Sequence, residues 1–142
     1  MREALALAAA AAEEGEVPIG CVVVKDGAIV GRGRNRRELG KNALYHAEIM
    51  AIDEACKTLG GWRLFGCELY VTLEPCPMCA GAIINARIDK VCFGAHDPKA
   101  GSCGSLINLF ELPYNHKPAV ESGILGEECA ELLKNFFKKL RS

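Results

Sequence analysis

The chain has 142 residues, half of them hydrophobic, with 17 basic and 18 acidic side chains and a formal net charge of −1. That size implies one domain spanning residues 1–142 with room for a real hydrophobic core, and the balanced charge argues against a surface coated for non-specific nucleic-acid binding while allowing a local basic patch. Eight cysteines in a chain this apolar read as ligands or buried thiols in a reducing, cytoplasmic setting, not as a disulfide framework.

The first element is an alanine-rich run at residues 4–12. It is far shorter than the ~20 apolar residues a membrane span needs. Its length would suit a signal-peptide core, but alanine is the best helix former and Glu13-Glu14-Gly15 breaks the run, so a first helix is expected. Residues 19–24 and 28–34 read as two strands, with Lys25-Asp26-Gly27 as the hairpin between them. Arg32, Arg34, Arg36, Arg37 and Lys41 cluster around Asn35. Residues 46–59 read as a helix with Ile49, Ile52, Ala55 and Cys56 on one stripe. A strand at 68–73, rich in β-branched and aromatic residues, leads to Pro77, which suits the first position of a helix running through Ile84. A strand at 90–93, a loop at 97–104, a short helix from Ser105, a short strand near 119–120 and a last helix from about 127 complete the chain. Helices alternating with strands predict an α/β fold, a sheet covered on both faces, and the initial hairpin makes that sheet mixed.

His46-Ala47-Glu48, followed thirty residues on by Pro75-Cys76-Pro77-Met78-Cys79, carries the chemistry. The pattern H-x-E then P-C-x-x-C is the signature of a one-zinc deaminase. One imidazole and two thiolates leave the fourth position of zinc open, as a catalytic site requires. Zinc on His46, Cys76 and Cys79 would lower the pKa of a water toward neutrality. Glu48 is better suited to carry protons than to close the site as a fourth ligand: it can take a proton from the attacking water, hand it to a ring nitrogen and protonate the departing amine. His46 and Glu48 fall in the first turn of one expected helix, and Cys76 and Cys79 at the start of another, where the dipole favours thiolate. Each fragment alone has a plainer reading: a surface histidine beside a solvated carboxylate, or a redox dithiol. Together, each at an expected helix start, they point to one metal, and the redox reading leaves His46 and Glu48 without work.

Over nearly its whole length the chain resembles the bacterial tRNA-specific adenosine deaminases of the cytidine-deaminase-like superfamily. The segments that carry the resemblance are Gly15-Glu16-Val17-Pro18-Ile19-Gly20, His46-Ala47-Glu48-Ile49-Met50-Ala51 and residues 69–81. Gly101-Ser102-Cys103-Gly104-Ser105-Leu106, Asn115-His116, Gly123-Ile124-Leu125 and Phe136-Phe137-Lys138 add to it. The zinc motif specifies the superfamily; the later segments point to the tRNA enzymes. The resemblance implies a three-layer α/β/α fold on a mixed sheet of about five strands, one zinc per chain, and hydrolysis of adenosine to inosine at the wobble position of a tRNA anticodon. It also implies a homodimer in which a neighbouring subunit completes each active site. By the same resemblance Asn35 would hydrogen-bond the flipped nucleoside, the Ala47 N–H would hold the base edge and Val17 would line the wall. Asp97 and Asn115 would contact neighbouring nucleotides, and Phe136 or Phe137 would stack near the anticodon loop. The chain departs from the family pattern at Ala43-Leu44-Tyr45 and at His96, neither of which touches the metal chemistry.

Three other functions use parts of this pattern. A free-base or nucleotide deaminase acting on guanine, cytosine or deoxycytidylate would share the zinc site, but the arginines around Asn35 and the later segments count against it. A zinc-stabilised binding module has no need of Glu48, and a thiol redox protein has no need of metal. The arginine cluster, with Lys134, Lys138, Lys139 and Arg141 on the last helix, would supply phosphate contacts to an anticodon stem-loop. A loop nucleotide is already largely unpaired, so extruding it is easier than opening a duplex.

Overall fold

A computed structural model describes residues 1–142 as a five-stranded mixed sheet in the order β2-β1-β3-β4-β5, sandwiched between helices. Helix α1 (Arg2–Glu13) leads to β1 (Gly20–Lys25) and β2 (Ala28–Arg34). The turn between these strands has Asp26 at φ 51° and Gly27 at φ 79°, both left-handed as a two-residue primed turn requires. Helix α2 (Ala47–Leu59) returns the chain to β3 (Cys67–Leu73), which pairs antiparallel with β1. Helix α3 (Pro77–Asn85) then crosses over to β4 (Lys90–Ala95), parallel to β3. A short strand β5 (Ala119–Ser122) adds in parallel at the edge, and α4 (Gly126–Arg141) ends the chain.

Small residues decide how close the layers come. Helix α1 buries Ala4, Ala8 and Ala11, one stripe at helical spacing, and sets it against β1 at Gly20. Helix α2 buries Ala47, Ala51 and Ala55 in the same way and lays that stripe on Gly31 and Gly33 of β2. A Cβ at Gly33 would lie 2.2 Å from the Ala47 carbonyl oxygen and 2.6 Å from the Ala51 nitrogen. On the α2–α3 face, the alternating residues Cys21 and Val23 of β1, Leu69 and Val71 of β3, and Val91 and Phe93 of β4 build the main core with Ala80, Ile83 and Leu64. Helix α4 covers the opposite face beside α1, with Cys129 pressed onto Gly94 of β4.

The expected short helix from Ser105 does not form. The chain instead makes one 3-10 turn at Leu109–Glu111, with the Asn108 side chain accepting from the Phe110 N–H. The Ser105 N–H and hydroxyl instead bond to the Glu74 carboxylate within the loop.

The close α2–β2 contact makes a direct prediction. Gly33→Ala should destabilise the protein by about 1–3 kcal/mol or more, since backbone and not a flexible side chain must move. Gly61→Ala, where an added Cβ meets nothing within 4 Å, should leave the melting temperature almost unchanged. Thermal denaturation of the two variants checks both.

Candidate active site

Two helix starts meet below the carboxyl end of the central strands. His46 is the residue that caps α2 and Cys76 the residue that caps α3, both with extended backbone; Pro77 opens α3 and Cys79 lies in its first turn. The His46 Nδ1 atom lies 3.6 Å from the Sγ of Cys76 and 3.6 Å from the Sγ of Cys79. The three donor atoms all lie within 4.8 Å of one another. That donor set, soft thiolates and an imidazole converging on one point, fits zinc.

The electrostatics agree. A hydrogen bond with Cys79 pulls the Cys76 thiol down to about 4; burial opposes this and a hydrogen bond with His46 adds to it. The Cys79 thiol is pushed far up, first by its hydrogen bond to Cys76 and then by burial. The hydrogen bond between His46 and the Cys76 thiolate raises His46. Two thiols this close cannot both ionise beside each other without a cation between them, and a divalent ion supplies that charge.

Glu48 lies one residue beyond Ala47 in the first turn of α2 and is 4 % exposed. Burial raises its carboxyl to about 7, so it stands near the neutral range where a group can both accept and release a proton. It lies outside the group of three donors.

His46, Glu48 and Cys76 floor a cleft of about 220 Å³, with Cys79 buried outside its lining. Its walls are Val17 and Ile19 before β1, Asn35 and Arg37 after β2, Leu73 and Glu74 at the end of β3, and Asp97 and Ala100 after β4. Asn35 is 6 % exposed. Its amide nitrogen donates to the Val17 carbonyl at 3.2 Å and its amide oxygen accepts from the Arg37 N–H at 3.1 Å. One N–H and one lone pair remain for a ligand. The Asp97 carboxylate accepts from the Lys99 N–H at 2.9 Å and the Ala100 N–H at 3.3 Å, which closes its turn.

Of the residues singled out from sequence, His46, Glu48, Cys76, Val17, Asn35 and Asp97 therefore line one cleft. Ala47 is fully buried on β2, with its N–H in the first helical turn, where no intrahelical acceptor exists. Asn115 lies apart, exposed in a groove with Leu44, Pro77, Met78 and Tyr114. Phe137 lies on α4, 40 % exposed, edge-on to Phe136 with ring centroids 5.4 Å apart.

The basic cluster divides. Arg32 and Arg34 alternate onto the α1 face of β2, where Arg32 pairs with Glu3 and Arg34 with Glu14. The hydrogen bond from Arg34 holds Glu14 below the usual carboxylate range. Arg37, exposed and without a carboxylate partner, is the arginine that lines the cleft. The even spacing of a strand, which sequence patterning treats as one cluster, sends its members to different partners. Sequence reasoning also passed over Glu16 and Glu74, buried carboxylates whose signal was an acidic residue beside Pro18 and Pro75 at the edge of a motif.

Known proteins resemble this chain over nearly its whole length. A family described as MafB19-like deaminase matches residues 1–141. A tRNA-specific adenosine deaminase of Bacillus subtilis is 55 % identical over 99 % of this chain and 88 % of its own. One from Aquifex aeolicus is 48 % identical over 100 % of this chain and 94 % of its own. A solved structure from work on A-to-I editing by tRNA:A34 deaminases at the wobble position of transfer RNA superposes with a TM-score of 0.91 at 48 % identity, covering 94 % of this chain and 97 % of that one.

The site separates ligand from proton carrier. Cys79→Ser should lose bound metal and stability together, because metal binding energy is partly folding energy. Glu48→Ala should keep metal and fold but lose turnover. Metal analysis beside a melting curve distinguishes the two; loss of metal from Glu48→Ala would make that residue a ligand.

Proposed function

Because the chain belongs to the MafB19-like deaminase family and its tRNA-specific adenosine deaminase branch, we propose that it converts adenosine to inosine at the wobble position of a tRNA anticodon. His46, Cys76 and Cys79 would hold one zinc per chain. The observation that carries this reading is a buried carboxylate, Glu48, raised toward neutrality by burial on the floor of a small cleft beside a three-donor metal group.

The residues divide the work. Zinc held by His46, Cys76 and Cys79 would lower the pKa of a water and so supply a nucleophile at neutral pH. Glu48 accepts a proton from the attacking water and delivers it to the ring nitrogen next to the reacting carbon. It then takes the remaining proton from the added hydroxyl and delivers it to the departing amine, so ammonia leaves and the carbonyl of inosine remains. The free N–H and lone pair of Asn35 orient the nucleoside, the Ala47 N–H holds the base edge, and Val17 forms an apolar wall. At about 220 Å³ the cleft is smaller than the roughly 300–1,000 Å³ of pockets for drug-sized ligands, which suits one extruded ring. Asp97, at the cleft rim, would contact the nucleotide beside it, with Asn115 and Phe137 meeting RNA farther out.

Arg37 is the cation best placed for a phosphate. An anticodon stem-loop carrying adenosine at the wobble position should be deaminated, with inosine read by mass spectrometry. Arg37→Ala should weaken RNA binding and reduce the salt dependence by roughly one ion, whereas Arg34→Ala should leave the salt slope intact because Glu14 already neutralises that charge. Efficient deamination of free guanine or cytosine, with none of the stem-loop, would overturn the assignment.

We further propose a homodimer through the α2–α3 face. There Ile49, Ile52 and Ala82 line an apolar groove of about 560 Å³. Trp62 on this groove is 51 % exposed, and Leu44 and Tyr114, on the neighbouring groove, are 56 % and 51 % exposed. Large exposed apolar surface of this kind marks an interface. It runs up to the helix starts that carry the metal group, so a second copy seated there would add to the rim of the site. No helix is long and apolar enough to cross a membrane; the proposed tRNA substrate is what supports a cytoplasmic location. Sedimentation velocity should show a dimer for the unaltered protein and a monomer for Trp62→Glu.

A further inference from the structure

Besides Glu48, two carboxylates are almost completely buried: Glu16 at 1 % exposure and Glu74 at 2 %. Neither pairs with a lysine or arginine, and the one ring nitrogen nearby is His96 Nδ1, 3.5 Å from Glu74 Oε1. A buried charge is costly unless hydrogen bonds replace its lost water, and here each carboxylate takes its donors from one irregular loop. Glu16 Oε1 accepts from the Glu38 N–H at 3.1 Å and Oε2 from the Leu39 N–H at 2.7 Å. Glu74 Oε1 accepts from the Asp97 N–H at 3.0 Å and from the Ser105 hydroxyl, while Oε2 accepts from the N–H groups of Cys103 and Ser105, each at 3.0 Å. The second loop closes tightly: a Cβ on Gly101 would lie 2.4 Å from the Glu74 carboxyl carbon. The first loop carries Arg37 and adjoins Asn35; the second carries Asp97 and Ala100, and all four line the cleft.

We propose that Glu16 and Glu74 are paired positioning residues, buried acceptors that mould the two loops walling the cleft into a preformed receptor for the extruded nucleoside and its neighbours. Loops without regular structure would otherwise have to be ordered by the ligand, and that cost weakens binding. Glutamine matches glutamate in shape but sets an NH2 group where an oxygen accepted an N–H, so two donors face each other. The proposal rests on the reading of the cleft as a nucleoside pocket.

Glu16→Gln and Glu74→Gln, each loaded with zinc, are compared with the unaltered protein in steady-state kinetics on the anticodon stem-loop and in amide hydrogen exchange. Each should raise KM about tenfold, the equivalent of ~1.4 kcal/mol, with metal content retained and kcat changed by no more than about twofold. Faster exchange should be confined to residues 36–45 in the first and 97–105 in the second. Ser105→Ala, which removes one donor to Glu74, should give a smaller rise in KM and faster exchange at 97–105 alone. If Glu16→Gln does not fold, Glu16→Asp, which keeps the charge and shortens the reach, tests the same loop; Ser105→Ala does so for Glu74. An unchanged KM with unchanged loop exchange, or a kcat that merely follows the folded fraction at constant KM, would overturn the proposal. Failure of the substrate reading itself would show as an unaltered protein that does not deaminate the stem-loop, and the exchange measurement, which needs no substrate, still decides whether the carboxylates hold the loops.

Discussion

The contact on which the site depends is the one between α2 and β2. Three alanines of the helix lie on two glycines of the strand with no side chain between the backbones. Helix–strand packing with larger residues would hold α2 farther from the sheet and carry His46 and Glu48 with it. The metal group spans less than 5 Å, a tolerance of tenths of an ångström at each donor. The smallest side chains in the protein therefore set the position of its most reactive ones.

Burial then tunes what the geometry has assembled. Glu48, Cys76, Cys79 and His46 are packed so closely that each alters the protonation of the next. The thiols and imidazole converge as lone-pair donors, and the carboxyl group beside them is held near neutrality chiefly by desolvation. Burial, and after it the negative charge of nearby carboxylates, pushes the Cys21 and Cys103 thiols up and keeps them inert. Reactivity in this chain follows from which cysteines sit at a helix start, not from how many there are.

The rim of the cleft is built on a different principle. Its walls are loops, and loops acquire shape from the groups that satisfy their backbone. Buried carboxylates do that on both walls, Glu16 for residues 38 and 39 and Glu74 for residues 97, 103 and 105. The same structure spends Arg32 and Arg34 on α1 and leaves Arg37 facing the cleft. Of five like charges clustered in sequence, two thus enter structural ion pairs and one stands at the mouth of the site.

Local patterning determined much of this protein. Strand alternation, the Asp26-Gly27 turn, the proline opening α3 and the spacing of His46, Glu48, Cys76 and Cys79 were all legible in the sequence, because each is a short-range rule of backbone or metal chemistry. The mixed five-stranded sheet followed from the order of elements. What only the tertiary structure decided are relations between residues far apart in sequence. Glu74 binds Ser105 from thirty-one residues away, in a held loop where a helix was expected. Arg34 finds Glu14 across the sheet edge, and Asn115 and Phe137 lie outside the cleft that Asn35 and Asp97 line. Such pairings depend on which face of an element meets which neighbour, and no periodicity within one segment contains that information.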